Sequence, residues 1–301
     1  MRDGGEMIMG VIKAVHAERE ELARVLKKHS GIRRIVEDLY PDSAHFIYEL
    51  LQNAEDTGAS EARFVLSPTS LVFEHNGRPF DERDIYAITD IGEGTKSEDD
   101  DKIGRFGVGF KAVFAYSETP HIWSPTFAFK ITELVLPVEI PQRSDLGTRT
   151  RFEFPFNNPK KSGEEAYKEV ESGLSELAET TLLFLSHLES IRWSVGNSEQ
   201  GEVLRHRHSE NHIEVLKQIG GKTTTSQHFL KFQQPVVGLE KQQISVAFEL
   251  DLLPTYQQFD PAKPLAKQVK IVPAAPGRVA VFFPAEKETS GLRFHLHAVR
   301  A

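Results

Sequence analysis

Apolar residues recur at helical spacing over residues 11–28, in a stretch rich in Glu, Arg, Ala, Leu and Val that predicts an amphipathic helix ending ahead of Ser30-Gly31. The preceding residues 1–10 read as a short flexible lead. A second helix is predicted over 31–39. Pro41-Asp42-Ser43 supplies cap residues for a third, over 44–56, with Gly58 beyond its end. The period then falls to two. Residues 61–66 and 70–75 read as the strands of a hairpin around Ser67-Pro68-Thr69. A short helix over 81–88 is followed by an acidic, aperiodic segment, 89–102, that reads as a mobile loop. Beyond it the pattern predicts a helix to about Ala115, strands at 121–123, 127–136 and 148–154, a helix over 164–187 and a strand at 190–195.

From Gly196 the character changes to strand-like runs at 202–206, 228–232, 244–250, 278–283 and 292–299, separated by Gly, Pro and polar residues. The predicted organisation is a helical lead (1–30), an α+β domain (31–195) and a β-rich domain (196–301). The last residues alternate, Leu292-Arg293-Phe294-His295-Leu296-His297-Ala298, as a half-buried strand does. The expectation is a front portion of a longer protein.

The chain has 301 residues, 39% apolar and 27% charged, which is ordinary for globular protein and long enough for two cores. Its formal charge of -8 disfavours a nucleic-acid partner, and no apolar run reaches the length of a membrane-spanning helix. The absence of cysteine removes disulfides and thiolate chemistry and fits a cytoplasmic protein.

Two segments carry the chemistry. In Glu49-Leu50-Leu51-Gln52-Asn53-Ala54-Glu55-Asp56 a helix would place Glu49 and Asn53 on one face, with Asp56 near it. An amide oxygen suits Mg²⁺, and a carboxylate one turn away suits a base for water, so Asn53 is the candidate ligand and Glu49 the candidate catalytic residue. In Gly104-Arg105-Phe106-Gly107-Val108-Gly109-Phe110 the missing side chains let backbone N–H groups approach phosphate oxygens, and the following helix would present its positive end. Either segment alone is weak, since neither a Rossmann strand nor a Gly-Lys-Ser/Thr accompanies the glycines.

Together, in this order, they resemble the ATPases that group gyrase, the ninety-kilodalton heat-shock chaperones, histidine kinases and mismatch-repair ATPases, which share the Bergerat fold. The likeness covers roughly residues 44–154. Leu146-Gly147-Thr148 resembles that family's last motif, and Gly94-Thr95-Lys96 lies where a lid would be. Within the family the chain is most similar to sacsin-like proteins, through His75-Asn76-Gly77-Arg78-Pro79-Phe80, Lys111-Ala112-Val113-Phe114, Phe282-Phe283-Pro284 and Gly291-Leu292-Arg293-Phe294-His295.

The resemblance implies an α+β Bergerat two-layer sandwich, with a largely antiparallel mixed sheet and helices on one face, followed by a partial transducer-like domain. It implies binding of ATP with Mg²⁺, hydrolysis to ADP, lid closure or homodimerisation, and an unspecified protein client in a chaperone-like or defence role. It implies contacts to the nucleotide from Asn53, Asp56, His75, Asn76, Gly77, Thr95, Lys96, Gly104, Arg105, Phe106, Gly107, Val108, Gly109, Phe110 and Thr148. Most members carry an aspartate where this chain has His75, whose imidazole accepts a hydrogen bond in only one tautomer. The expected basic transducer contact to the terminal phosphate has no identifiable residue, so slow or absent turnover with binding intact is expected.

Other readings stay open. One is a module that senses nucleotide without hydrolysing it; another is phosphotransfer of the histidine-kinase type, against which the presence of Glu49 argues. Arg205-His206-Arg207-His208 with His212 invites a metal reading. It lacks a carboxylate or thiolate at ligand spacing, and a solvated strand face is the simpler reading. Trp123 and Trp193 read as core residues.

Overall fold

The computed structural model describes residues 3–28, 46–91, 109–196, 199–237, 239–281, 283–289 and 291–297. These divide into two compact units, one of Met1–Glu176 with Arg192–Glu199, the other of Leu177–Ile191 with Gln200–Ala301. The first combines strands with a few α-helices, whereas the described residues of the second form strands with two short 3-10 segments, so the chain as a whole is mixed α+β. No helix among the described residues is long and apolar enough to cross a membrane.

The first unit opens with α1 (Asp3–Lys28), which begins within the residues expected to be a flexible lead. Glu6, Met7, Ile8 and Met9 are good helix formers and outweigh the neighbouring glycines. α1 lies against the helix Glu82–Thr89 and the strand Leu136–Glu139, where His16 Nδ1 meets the Pro137 carbonyl at 2.9 Å. Then come α2 (Phe46–Asp56), β1 (Glu61–Ser67), β2 (Ser70–His75) and α3 (Glu82–Thr89). The hairpin pairs as the alternation predicted, Phe64 opposite Phe73 and Ala62 opposite His75. Asp81 caps α3 through a reciprocal box with Asp84. The helix expected over 31–39, the cap residues Asp42 and Ser43, and most of the loop expected over 89–102 lie outside the described residues.

The helix expected up to Ala115 is a single 3-10 segment, Gly109–Ala115. The strand expected over 127–136 is two, β4 (Ala128–Thr132) and β5 (Leu136–Glu139), paired antiparallel. Between them Glu133 and Leu134 take positive φ values of 49° and 70°, a turn with no glycine or asparagine to announce it. β3 (His121–Trp123), β6 (Thr150–Pro155), α4 (Gly163–Ser175) and β7 (Ser190–Val195) complete the unit, whose strands run in the order β7-β1-β2-β6-β3-β4-β5. Its core is aromatic: Phe46, Phe64, Phe73, Phe110, Phe129, Phe152 and Phe154 are all 2% exposed or less, each contributing roughly 1.5–3 kcal/mol of burial. α4 ends at Ser175, twelve residues short of the sequence expectation, and Leu177, Leu182, Leu183 and Leu185 are buried instead in an irregular segment with one 3-10 turn.

The second unit contains β8 (Glu199–Arg207), β9 (His212–Ile219), β10 (Lys222–Val236), β11 (Leu239–Leu252), β12 (Val269–Val272), β13 (Arg278–Val281), β14 (Phe283–Thr289) and β15 (His295–His297). The strand order is β14-β13-β15-β11-β10-β9-β8, with β12 also on β11. β13 and β15 are parallel, and the other described pairs are antiparallel. β9, β12 and all but the first residue of β14 had no counterpart in the sequence reading. Arg205, read there as solvated, is 6% exposed and donates to the carbonyls of Leu182, Leu185 and Ser186.

Candidate functional site

α2 is fixed by its apolar side. Phe46, Ile47, Leu50, Leu51 and Ala54 are buried, and the Phe46 ring packs 4.8 Å from Tyr116 and 6.2 Å from Phe154. Anchored so, the helix holds Glu49 and Asn53 one turn apart. Asn53 is only 5% exposed, and its amide Nδ2 has no hydrogen-bond partner among the described residues. A buried amide left open costs about 1–3 kcal/mol, so the position is one a ligand would satisfy. Burial pushes the Glu49 carboxyl above its usual range, toward the poise a general base needs.

The two motif segments meet. A Cβ built on Gly109 would lie 1.8 Å from Glu49 Oε2 and 2.3 Å from its carboxyl carbon, so the carboxylate occupies the space that any other residue would fill. A side chain at this position would displace the Glu49 carboxylate, the movable end of a flexible side chain, so glycine favours this placement of Glu49. Gly104, Arg105, Phe106, Gly107 and Val108, with Thr95 and Lys96, lie outside the described residues. Phe110 is a core residue at 1% exposure, its ring about 6 Å from those of Phe152 and Phe154. The helix end expected to face the phosphates is a seven-residue 3-10 segment, so a helix dipole adds little here.

A second close approach joins the end of α2 to the segment after β2. A Cβ on Gly77 would lie 2.0 Å from Thr57 Oγ1, and Arg78 N donates to Thr57 O at 3.0 Å. His75 is 1% exposed, and its Nδ1 accepts from Gly77 N at 3.2 Å. Burial, reinforced by the Arg78 guanidinium, pushes His75 down to about 4. The ring is therefore neutral near pH 7, with its acceptor nitrogen used internally and Nε2 carrying the proton. Asn76 is turned toward the start of β1, where its Oδ1 accepts from Ser60 N at 3.0 Å and Glu61 N at 2.9 Å. Arg78 locks the same segment to α3 by a two-pronged pair with Asp84 at 2.6 and 2.8 Å. Asp56 stands half-buried at the end of α2.

Thr148 sits in an exposed turn beside Gly147, whose φ is +60°. The threonine that faces His75 across the β2–β6 ladder is Thr150, fully buried, with Oγ1 3.4 Å from Ser124 Oγ. The sequence reading missed it, although the alternation after Gly147 would have put Thr150 on the inner face. It also left Lys111 unexamined. Lys111 is 1% exposed, donates to Ile88 O at 2.7 Å and Leu134 O at 2.8 Å, and is pushed down by burial to about 7. It ties the 3-10 segment after Gly109 to the end of α3 and to the positive-φ turn.

Residues 27–136 match the family model described as Sacsin domain. The chain is 29% identical over 267 residues to Protein NO VEIN of Arabidopsis thaliana, an alignment that takes in 77% of this chain and 10% of that protein. It is 31% identical over 102 residues to Sacsin of Homo sapiens, covering 28% of this chain and 2% of that one. The chain thus spans a small fraction of the length of these relatives. Among solved structures, a crystal structure of the N-terminal domain of a DNA repair protein superposes with a TM-score of 0.49 at 12% identity, covering 89% of this chain and 86% of that one. In sequence, the stretch that carries α2, the β1–β2 hairpin, α3 and the Gly109 segment is sacsin-like.

Proposed function

We propose that the first unit is a Bergerat-type nucleotide module that binds ATP with Mg²⁺ and hydrolyses it to ADP and phosphate. The carrying observation is the Glu49 carboxylate lying against Gly109, which joins a candidate base to the end of a glycine-rich run. The unpartnered Nδ2 of buried Asn53 is a donor that a phosphate oxygen would satisfy, which leaves its Oδ1 for a metal ion. Asn53 would hold the metal, and Gly104, Gly107 and Gly109 would admit the phosphates. Mg²⁺ supplies neutralisation of phosphate charge. Glu49 orients a water and takes its proton at Oε2 as the water oxygen bonds to the terminal phosphorus and the bridging oxygen leaves with ADP. With His75 Nδ1 committed to Gly77, the base is met by an Nε2 donor and by Thr150, a surface that differs from an aspartate acceptor.

In this reading hydrolysis drives lid closure or homodimerisation within a longer protein, in a chaperone-like or defence role. Calorimetry with ATP, ADP and GTP, with and without Mg²⁺, tests binding, and single-turnover hydrolysis in wild type and Glu49→Ala tests chemistry. Expected are Mg-dependent ATP binding in both proteins and cleavage only in wild type. No saturable ATP binding at millimolar concentration overturns the proposal. Because this chain alone is expected to turn over slowly or not at all, the nucleotide-sensing reading is favoured by equal, negligible cleavage in wild type and Glu49→Ala of a longer form of the protein with binding intact.

A further inference from the structure

The second unit gathers three histidines and a glutamate that are scattered in sequence. β9 pairs with β10 so that Glu214 stands opposite His228, and with β8 so that Glu214 also stands opposite His206. The turn between β8 and β9 closes tightly, with His208 N and Ser209 N both donating to His212 O, at 3.0 and 3.3 Å. It brings His208 back over the same sheet face, Nε2 2.7 Å from Glu214 Oε2. His228 Nε2 lies 3.7 Å from Glu214 Oε1. One ligand atom each from His208, Glu214 and His228 all fall within 4.8 Å of one another.

We propose that His208, Glu214 and His228 form a binding site for a divalent transition-metal ion of the Zn²⁺ class. Two imidazoles and one carboxylate are a ligand set suited to that class, and three protein ligands leave a coordination position for water or an anion. Tetrahedral ligands at about 2.1 Å stand about 3.4 Å from each other, a contraction that the exposed His208 can supply.

The surroundings orient the ligands as a metal site requires. His228 Nδ1 lies 3.0 Å from Nε2 of His212, which is 2% exposed. If His228 binds through Nε2, its Nδ1–H donates to His212, fixing both tautomers in the way metal-bound histidines are normally braced. Ser226 Oγ donates to Glu214 Oε1 at 2.7 Å and steadies the carboxylate. Phe259 covers the group, its ring 4.7 Å from those of His208 and His212 and 5.3 Å from that of His228. Its loop is held by the fully buried Gln268, which bonds Asp260 N and O at 2.8 and 2.9 Å. Asp251, Gln257 and Gln258 line the same cleft of about 450 Å³, giving polar groups beside the ion.

The test uses the full 301-residue chain, stripped with chelator and titrated without nucleotide. Zn²⁺ binding is followed by calorimetry, and Co²⁺ substitution by its visible d–d bands. Expected are one ion per chain, a Co²⁺ spectrum of low coordination number, and a loss of affinity in His208→Ala, Glu214→Gln and His228→Gln at least as large as the roughly 10–100-fold that losing a ligand's outer partner costs. His187→Ala, on an exposed residue elsewhere in the unit, should bind as wild type. His208 is exposed, so its variant carries the decision should the buried His228→Gln misfold by circular dichroism. Absence of saturable Zn²⁺ binding at millimolar concentration overturns the proposal. So does binding that is unchanged in His208→Ala, or that is lost in His206→Ala instead.

Discussion

Glu49 and Asn53 share a face because one helix carries both, whereas Glu214 meets His228 only because β9 and β10 pair in one register. The first arrangement is a property of 3.6-residue spacing and survives wherever α2 is placed. The second would vanish with a one-residue slip, which turns every side chain of a strand to the other face. The first unit therefore advertises its chemistry as motifs. The second assembles polar groups from a turn, two strands and a loop, none of which is distinctive alone. The contrast extends to bracing. Around Glu49 the restraint is steric, two glycines pressed against side chains of α2 and its end, while around His228 it is polar, a hydrogen bond to His212 and the Glu214 carboxylate 3.7 Å away, itself held by Ser226.

The largest effect that would sharpen this contrast is at Glu49. Glu49→Gln should lower single-turnover ATP cleavage by about 10²–10⁴-fold while leaving Zn²⁺ affinity of the second unit unchanged, read by phosphate release and calorimetry on one preparation. Next is the steric bracing. Gly77→Ala forces a methyl group to within 2.0 Å of Thr57 Oγ1, and a loss of about 1–3 kcal/mol is expected in urea unfolding. A stability equal to wild type would show that the segment yields more readily than its packing implies.

Lys111 offers a test through pH. Its pKa falls from 10.5 to about 7 in the fold. Above about 10.5 the amine is neutral folded and unfolded, so its burial is uncharged. Below about 7 it is charged in both, and the fold bears the full cost of desolvation. Stability should therefore rise from about pH 7 toward 10.5. Lys111→Met should flatten that slope and also cost about 1–3 kcal/mol for the carbonyls of Ile88 and Leu134, both seen in denaturant midpoints across that window.

The smallest expected effect is on the acid side. His75 is held down to about 4 from 6.5, so the stability it contributes is present above about 6.5 and is lost as pH falls toward 4. His212 and His297 in the second unit are shifted the same way, each to about 4. His75→Gln should flatten acid destabilisation of the first unit alone, measured by amide exchange unit by unit. An equal change in both units would mean that they unfold together.

Much of the first unit was legible because its signals are short-range. The hairpin around Pro68, the short helix of 81–88 and the strand of residues 190–195 needed only local periodicity and turn chemistry. The failures have physical causes. Residues 127–136 read as one strand because Glu133 and Leu134 give no warning of positive φ. The helix of 164–187 was carried too far because a leucine run buried in irregular structure has the composition of a helix. Thr150 was passed over for Thr148 because facing His75 is a fact of the β2–β6 ladder. Glu214 stands two residues beyond His212 in the sequence, but that it meets His208 and His228 follows from the β8–β9 turn and the β9–β10 register.

Sequence by itself determined which residues α2 presents together, Glu49 with Asn53, because helical spacing is set by the local backbone. It also determined that a glycine-rich run would follow. That Glu49 lies against Gly109, that His75 turns its acceptor inward to Gly77, and that Glu214 joins His208 and His228 were decided only by tertiary structure. Each is a contact between segments distant along the chain. Such contacts are chosen by core packing and strand register, which no local window of residues encodes.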